Sequence, residues 1–200
     1  RVNVMKYVPI MVAMMLLAVG TGFAQVVETT ADWKVATDPQ ELAFFNDPGF
    51  DDSAYANATV NWPGFVLDGN SVDGLWSSSE LESGSSQAYF RYVFTVSNPV
   101  TLALLDIGFY ETVSVFINGT PVGGSGTPVG DHENWNGDVT TTLQVGLNVI
   151  SASAEAPGNA ATYATRTFAA RLEIFTVPEP TTGLLVGLSL LGAAALRRRT

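Results

Sequence analysis

Three kinds of residue are missing or scarce in this chain, and each scarcity excludes a class of site. The 200 residues include no cysteine, which rules out disulfide bonds, thiolate zinc sites and a cysteine nucleophile. His132 is the single histidine, so no site can use two imidazoles. Basic residues number nine against nineteen acidic ones. A middle section of about 150 residues can nevertheless bury a core without disulfides.

The basic residues are also unevenly placed. Between Gln25 and Val177 eighteen acidic residues give a net charge of −14, since the basic residues there are Lys34, Arg91, Arg166 and Arg171. Such a surface repels nucleic acid and anionic lipid headgroups, and we expect neither as a partner of this section.

Residues 1–24 have the three parts of a secretory signal peptide. A basic start precedes an uncharged apolar run, Val8 to Val19, which is shorter than the roughly 20 residues of a membrane span. Small residues stand three and one positions before the bond between Ala24 and Gln25, which is the predicted cleavage point. An uncleaved membrane anchor is the alternative.

Residues 177–200 contain a second three-part pattern. Pro178-Glu179-Pro180 precedes an apolar stretch, Gly183 to Leu196, which is followed by the basic residues Arg197, Arg198 and Arg199. The two prolines hold Glu179 in an extended segment that a processing enzyme can grip. The apolar stretch is marginal as a transmembrane helix, and the basic residues fix its end on the cytoplasmic side.

This pattern resembles the PEP-CTERM sorting signal. The resemblance implies that an exosortase recognises Pro178, Glu179 and Pro180 and removes the tail, while the arginines set its topology. It also implies a Gram-negative envelope and an intermediate held transiently in the inner membrane by a short C-terminal transmembrane helix. The mature protein is then expected at the cell surface or in the extracellular (biofilm) matrix, with exosortase and the general secretion machinery as partners. An ordinary C-terminal anchor is the alternative.

Residues 25–176 read as short strands and turns, without convincing helical periodicity. Alternation and β-rich composition predict strands at Gln87–Val96, Val100–Ile107, Thr112–Ile117, Val139–Val145, Leu147–Ala154 and Thr167–Phe175. Asn118-Gly119 predicts a hairpin turn, because both of its positions need positive φ. The section is therefore predicted to be one all-β domain, a β-sandwich or jelly roll.

An ordered series of short segments is similar to the galactose-binding-like jelly roll, which occurs as an accessory module of glycosidases and in exported bacterial proteins. The similarity runs from Phe50 to Phe175, with Tyr55 where tryptophan is common, and its segments are 51–55 (DDSAY), 89–96 (YFRYVFTV), 113–122 (VSVFINGTPV), 138–140 (DVT) and 143–154 (LQVGLNVISASA). The resemblance implies a jelly-roll sandwich and leaves ligand binding open.

Two stretches hold the candidate ligand-binding residues, which are Asp131, His132, Glu133, Asn134 and Trp135 in one and Trp76 in the other. A tryptophan can stack on the apolar face of a sugar while polar neighbours bond its hydroxyls. The commoner alternative has Trp135 covering the end of the sandwich and Trp76 in the core.

No cofactor and no catalytic residue is predicted. The stretches that begin at Asp68 and Asp131 both break the EF-hand spacing at its fifth position. A structural calcium ion therefore stays an alternative for which no ligand residues are assigned. A serine triad could use His132 alone, and no G-x-S-x-G segment is present.

The sequence therefore predicts an exported, non-catalytic surface or matrix protein sorted by exosortase. A second hypothesis is a carbohydrate-binding module for an exopolysaccharide or a plant or algal glycan, with Trp135, Trp76 and Asp131 exposed in one groove. A third is a small glycan hydrolase, which requires two carboxylates facing each other in a cleft.

Overall fold

The computed structural model describes residues 24–36, 43–76, 87–109, 112–124, 133–155 and 167–177. In this part of the chain twelve strands form two sheets. The first sheet contains β1 (Ala24–Glu28), β4 (Thr59–Leu67), β5 (Asn70–Trp76), β7 (Val100–Phe109), β10 (Glu133–Asp138) and β12 (Phe168–Thr176). The second contains β2 (Lys34–Ala36), β3 (Ala56–Asn57), β6 (Gln87–Val96), β8 (Thr112–Ile117), β9 (Thr120–Gly123) and β11 (Gly146–Glu155). A helical turn, α1 (Ala43–Asn46), and a 3₁₀ turn, Thr140–Thr142, complete the elements.

The strand orders are β10-β7-β12-β5-β4 and β3-β2-β6-β11-β8-β9. β1 pairs with β12 along the part of that strand that β5 leaves free. All of these pairs are antiparallel, and the two sheets bury apolar side chains between them. The ring of Phe90 from β6 stacks on that of Phe168 from β12, with 5.0 Å between centroids. The all-β sandwich predicted from the sequence is thus confirmed.

Most predicted strands are confirmed with small shifts of their ends. β6 has the predicted bounds and buries its alternating face. The predicted turn is also present, since Asn118 and Gly119 both have positive φ, 50° and 78°.

The strand predicted at Val139–Val145 is wrong. Asp138 there accepts hydrogen bonds from the backbone N–H and the hydroxyl of Thr140, at 2.9 and 2.6 Å. Such local side-chain bonds compete with strand pairing, and the chain forms the 3₁₀ turn instead.

The β4–β5 hairpin bends over the outer face of the first sheet. Phe65 and Leu67 lie above Gly108, where a Cβ would collide with both side chains. Together with Val72 and Ala169 they form a second, smaller apolar cluster outside the main core. The absence of a side chain at Gly108 therefore lets the hairpin form one wall of a groove.

The predicted signal peptide, apart from Ala24, and residues 178–200 lie outside the described residues. Within the described ranges, no helix is both long and apolar enough to span a bilayer.

Candidate functional site

Trp135 lies on the edge strand β10 and is half-buried against the main core. Its indole ring covers Gly123 of β9 and Gly137 of β10, and a Cβ at either glycine would collide with the ring. The ring therefore fills the gap between the edges of the two sheets. This arrangement is close to the alternative in which Trp135 covers the sandwich, and it leaves the indole poorly placed as a sugar platform.

The other candidate residues of this stretch are not assembled around Trp135 in the described structure. Asp131 and His132 lie outside the described residues. Glu133 is the first residue of β10, and Asn134 is exposed on the same strand, opposite Gly108 of β7.

The prediction of Trp76 as an exposed ligand-binding residue is corrected by its burial. Its side chain is 1% exposed, and its ring packs edge-on against Phe90 at 5.9 Å. A ligand in solvent cannot reach it, so Trp76 and Trp135 do not share a groove.

A polar groove of about 360 Å³ lies on the outer face of the first sheet, below the tip of the β4–β5 hairpin. Both hairpin-tip positions have positive φ, 43° at Asp68 and 78° at Gly69, as a tight two-residue turn requires. The lining residues come from four strands and the β4–β5 turn and are Asp68, Asn70, Leu104, Asp106, Asn136, Gly137, Asp138, Arg171 and Glu173.

The floor of the groove consists of two rows of cross-strand neighbours. Asp106 of β7 stands between Asn136 of β10 and Arg171 of β12. In the next row Leu104 stands between Asp138 and Glu173. Directly opposed residues of antiparallel strands project from the same face, so these side chains converge.

Among the described residues that line the groove, Arg171 is the single cation, and it already forms ion pairs. Its Nε donates to Oε1 of Glu28 at 3.0 Å, and its Nη1 forms an ion pair with Glu173. Burial raises the pKa of Asp106, and the negative charge of Asp68 adds to this effect while Arg171 opposes it. The groove therefore keeps unbalanced negative charge close to a half-buried carboxyl.

The groove offers the groups that bind a hydroxyl-rich, uncharged molecule. Its carboxylates accept hydrogen bonds, and the amides of Asn70 and Asn136 both donate and accept. The excess of carboxylates repels anions. No three acidic, histidine or cysteine side chains of the described residues are grouped as metal ligands, which leaves calcium without a candidate site in this part of the chain.

A second pocket, of about 320 Å³, lies on the outer face of the second sheet and is mostly apolar. Phe45 makes ring contacts there with Tyr89 and Phe116, each with 5.8 Å between centroids. This pocket and the polar groove are on opposite outer faces of the sandwich, so they cannot hold the same sugar ring.

Sequence reasoning missed the polar groove. From the sequence, Asp68 was considered only as the start of a possible calcium-binding stretch and Asp138 only as part of a jelly-roll-like segment. Asp106, Asn136 and Arg171 were not predicted as site residues. The groove is formed by residues that are far apart in sequence, and a signal for it would have required the pairing of β7 with both β10 and β12.

Comparisons with known proteins give different findings for the C-terminal tail and for the β-sandwich. Residues 176–199 match the model of the PEP-CTERM protein-sorting motif. No curated protein sequence matches the chain.

Solved structures resemble the chain in fold. A Bacteroides uniformis β-glucuronidase is 13% identical with a TM-score of 0.50, and the match covers 77% of this chain and 18% of that one. A glycosyl hydrolase family 2 member from Bacteroides cellulosilyticus is 15% identical with the same TM-score, over 75% of this chain and 20% of that one. This chain thus spans about a fifth of the length of those proteins. At these identities the likeness shows the fold alone, and it fits a galactose-binding-like domain.

The match at residues 176–199 implies export, a membrane-anchored intermediate and processing by an exosortase. The protein therefore carries a PEP-CTERM protein-sorting motif that follows directly on an all-β sandwich.

Proposed function

We propose that this protein is an exosortase substrate that is displayed at the cell surface or in the extracellular matrix and has no catalytic activity of its own. The observation that carries the proposal is the sorting motif at residues 176–199. The sandwich supports it, because its core is closed by its own two sheets and the domain can persist after the tail is removed.

Substitution in the motif tests this function. In an exosortase-containing host, Glu179→Ala is expected to leave the full-length precursor in the membrane fraction, whereas the wild-type chain loses its apolar tail. Glu155→Ala, an exposed glutamate at the end of β11, is the matched control and is expected to be processed normally. Normal processing of Glu179→Ala would overturn the proposal.

The polar groove favours a second function, binding of a neutral oligosaccharide. Its supports are the convergence of Asp106, Asn136 and Asp68 below the hairpin tip and the repulsion of anions by its carboxylates. An exopolysaccharide or a plant or algal glycan without uronic acids suits this chemistry. In this account the groove binds a sugar without cleaving it.

Binding by residues 24–177, with the folding of each variant checked by thermal unfolding, tests the second function. Asp106→Ala is expected to weaken the affinity for a neutral glycan about tenfold, as the loss of a charge-assisted hydrogen bond does. Asp51→Ala, in an exposed turn outside the groove, is the control. The second function is rejected if no neutral glycan binds, or if binding is lost on Tyr89→Ala in the apolar pocket and kept on Asp106→Ala.

A further inference from the structure

Both ends of the described domain emerge at the same end of the sandwich. β1 and β12 are antiparallel neighbours, and Ala24, at the predicted cleavage point, is paired with Phe175. The side-chain amide of Gln25 donates to the carbonyl of Thr95 at 3.1 Å, which ties this strand to β6 of the other sheet. The segment before Ala24 and the sorting motif after Val177 therefore leave the domain side by side.

The fold continues up to the sorting motif without a spacer. β12 ends at Thr176, which is also the first residue of the motif match. The N–H of Val177 donates to the carbonyl of Pro99 at 3.0 Å. The hydroxyl of Thr101 donates to the backbone carbonyl of Phe175, also at 3.0 Å. Since a fully extended chain spans at most about 3.6 Å per residue, Pro180 lies within roughly 11 Å of the fixed Val177.

The surface at this end differs from the rest of the domain. We define the terminal face as residues 24–27, 95–102, 143–147 and 174–177, which contain no charged side chain although the domain as a whole is strongly acidic. Seven large apolar side chains of the described residues are between 38% and 58% exposed. Five of them lie on the terminal face, namely Val26, Leu102, Val145, Leu147 and Val177.

Strand pairing brings these segments together. Leu147 is paired with Thr95, and Gly146 with Val96, at the end of β6 that leads into the turn at Pro99. Leu102 is paired with Phe175 at the end of β12. Val26 and Leu102 project from the outer face of the first sheet, where Val26 is paired with Glu173. Leu147 projects from the outer face of the second sheet, beside Thr95. The five side chains therefore form an apolar rim around this end of the sandwich, and such a rim suits contact with a protein that surrounds this end.

We propose that the terminal face contacts the exosortase while residues 178–180 occupy the enzyme's active site. This inference rests on the proposed exosortase processing. An enzyme that grips a segment within roughly 11 Å of a folded domain must touch that domain. The bilayer is a weaker candidate, because the five residues between Val177 and Gly183 allow roughly 20 Å of separation from the apolar stretch.

The contact is tested by the rate of tail removal in a pulse-chase experiment on the full chain. Val145→Ser with Leu147→Ser is expected to slow processing about fivefold, as loss of well-placed interface side chains does. Val66→Ser is the matched control, since Val66 is 58% exposed on the hairpin, away from the terminal face. Unfolding midpoints of the variants, measured without the tail, separate loss of contact from loss of folding.

A second variant removes the contact without changing the domain. Ten glycine and serine residues inserted between Val177 and Pro178 are expected to slow processing about as much as the double serine substitution does. Combining the spacer with Val145→Ser and Leu147→Ser should slow processing no further, because the contact is already lost. Wild-type rates in both variants would overturn the inference, and so would faster processing with the spacer. Equal processing combined with weaker flotation of the double variant on phosphatidylethanolamine–phosphatidylglycerol vesicles would assign the face to the membrane instead. A wild-type chain that is never processed refutes the proposed function itself.

Discussion

Arg91 donates from its Nε to Oδ2 of Asp52 over 2.9 Å, and its side chain is fully buried while that of Asp52 is one quarter exposed. The guanidinium also donates from Nη2 to the carbonyl of Asp47 at 2.7 Å. Its carbon lies 5.5 Å from the centre of the Phe50 ring. One arginine of β6 thus holds the segment from Asp47 to Asp52 against the outer face of the second sheet.

Removal of the carboxylate should destabilise the domain strongly. We expect Asp52→Ala to lower the free energy of unfolding by about 3 kcal/mol, because a buried guanidinium loses its charged partner. Urea unfolding measures the change. Asp32→Ala, at an exposed carboxylate outside this segment, should change it by less than about 0.5 kcal/mol. Equal effects of the two substitutions would show that the ion pair does not hold this segment.

Two groove aspartates should affect stability with opposite signs. Burial raises the pKa of Asp106 above its ordinary 3.8, so its charged form costs stability above the raised pKa. Hydrogen bonds from the hydroxyl and then the N–H of Thr140 lower the pKa of Asp138, so its charged form adds stability above 3.8, which is lost as the pH falls through the lowered value.

Thermal unfolding of the two asparagine variants checks these signs. At pH 7, Asp106→Asn should raise the unfolding midpoint and Asp138→Asn should lower it. The gain from Asp106→Asn should shrink as the pH falls through the raised pKa and vanish well below 3.8, where folded and unfolded chains both carry a neutral carboxyl. A lower midpoint for Asp106→Asn at pH 7 would contradict the assigned cause.

Substitution of Trp135 should affect folding rather than ligand binding. Its ring fills the gap above Gly123 and Gly137, so Trp135→Ala leaves a cavity and should cost about 2 to 4 kcal/mol. Denaturant unfolding measures this loss, and glycan affinity is compared at a temperature where the variant is folded. Retained stability together with lost glycan binding would restore Trp135 as the sugar platform.

The predicted signal peptide should be removed before β12 joins the sheet. Ala24 and Gln25 are paired with Phe175 and Ile174, and a peptidase needs the scissile segment as a free extended chain. β12 leaves the translocation channel long after β1, and during this time the scissile segment is still unpaired and accessible to the peptidase. Purified signal peptidase should therefore cleave a precursor truncated before Phe168 and should leave a refolded precursor ending at Val177 intact. Equal cleavage of both would exclude this order of events.

The sequence predicted the parts of the fold that local pattern determines. β6 alternates clearly enough to be bounded correctly, and Asn118-Gly119 carries the backbone preference of its turn. The resemblance also picked out the segments that contain Asp52 and Arg91, although their contact appears only in the folded chain. β10 was not predicted as a strand because ENWNGD has no apolar alternation, and its extended form depends on backbone pairing with β7.

The polar groove and the terminal face could not be predicted from the sequence for a related reason. Asp106 gains its neighbours Asn136 and Arg171 through two strand registers that no local pattern encodes. Likewise the closeness of Ala24 and Phe175 follows from the pairing of the first described strand with the last.

The most direct test of the central claim is mass spectrometry of the protein recovered from a host with and without its exosortase. With the enzyme, we expect a product that lacks the apolar stretch from Gly183 to Leu196 and is found outside the inner membrane. Without the enzyme, the full tail should remain and the protein should stay in the membrane fraction. An intact tail in both hosts would contradict the account.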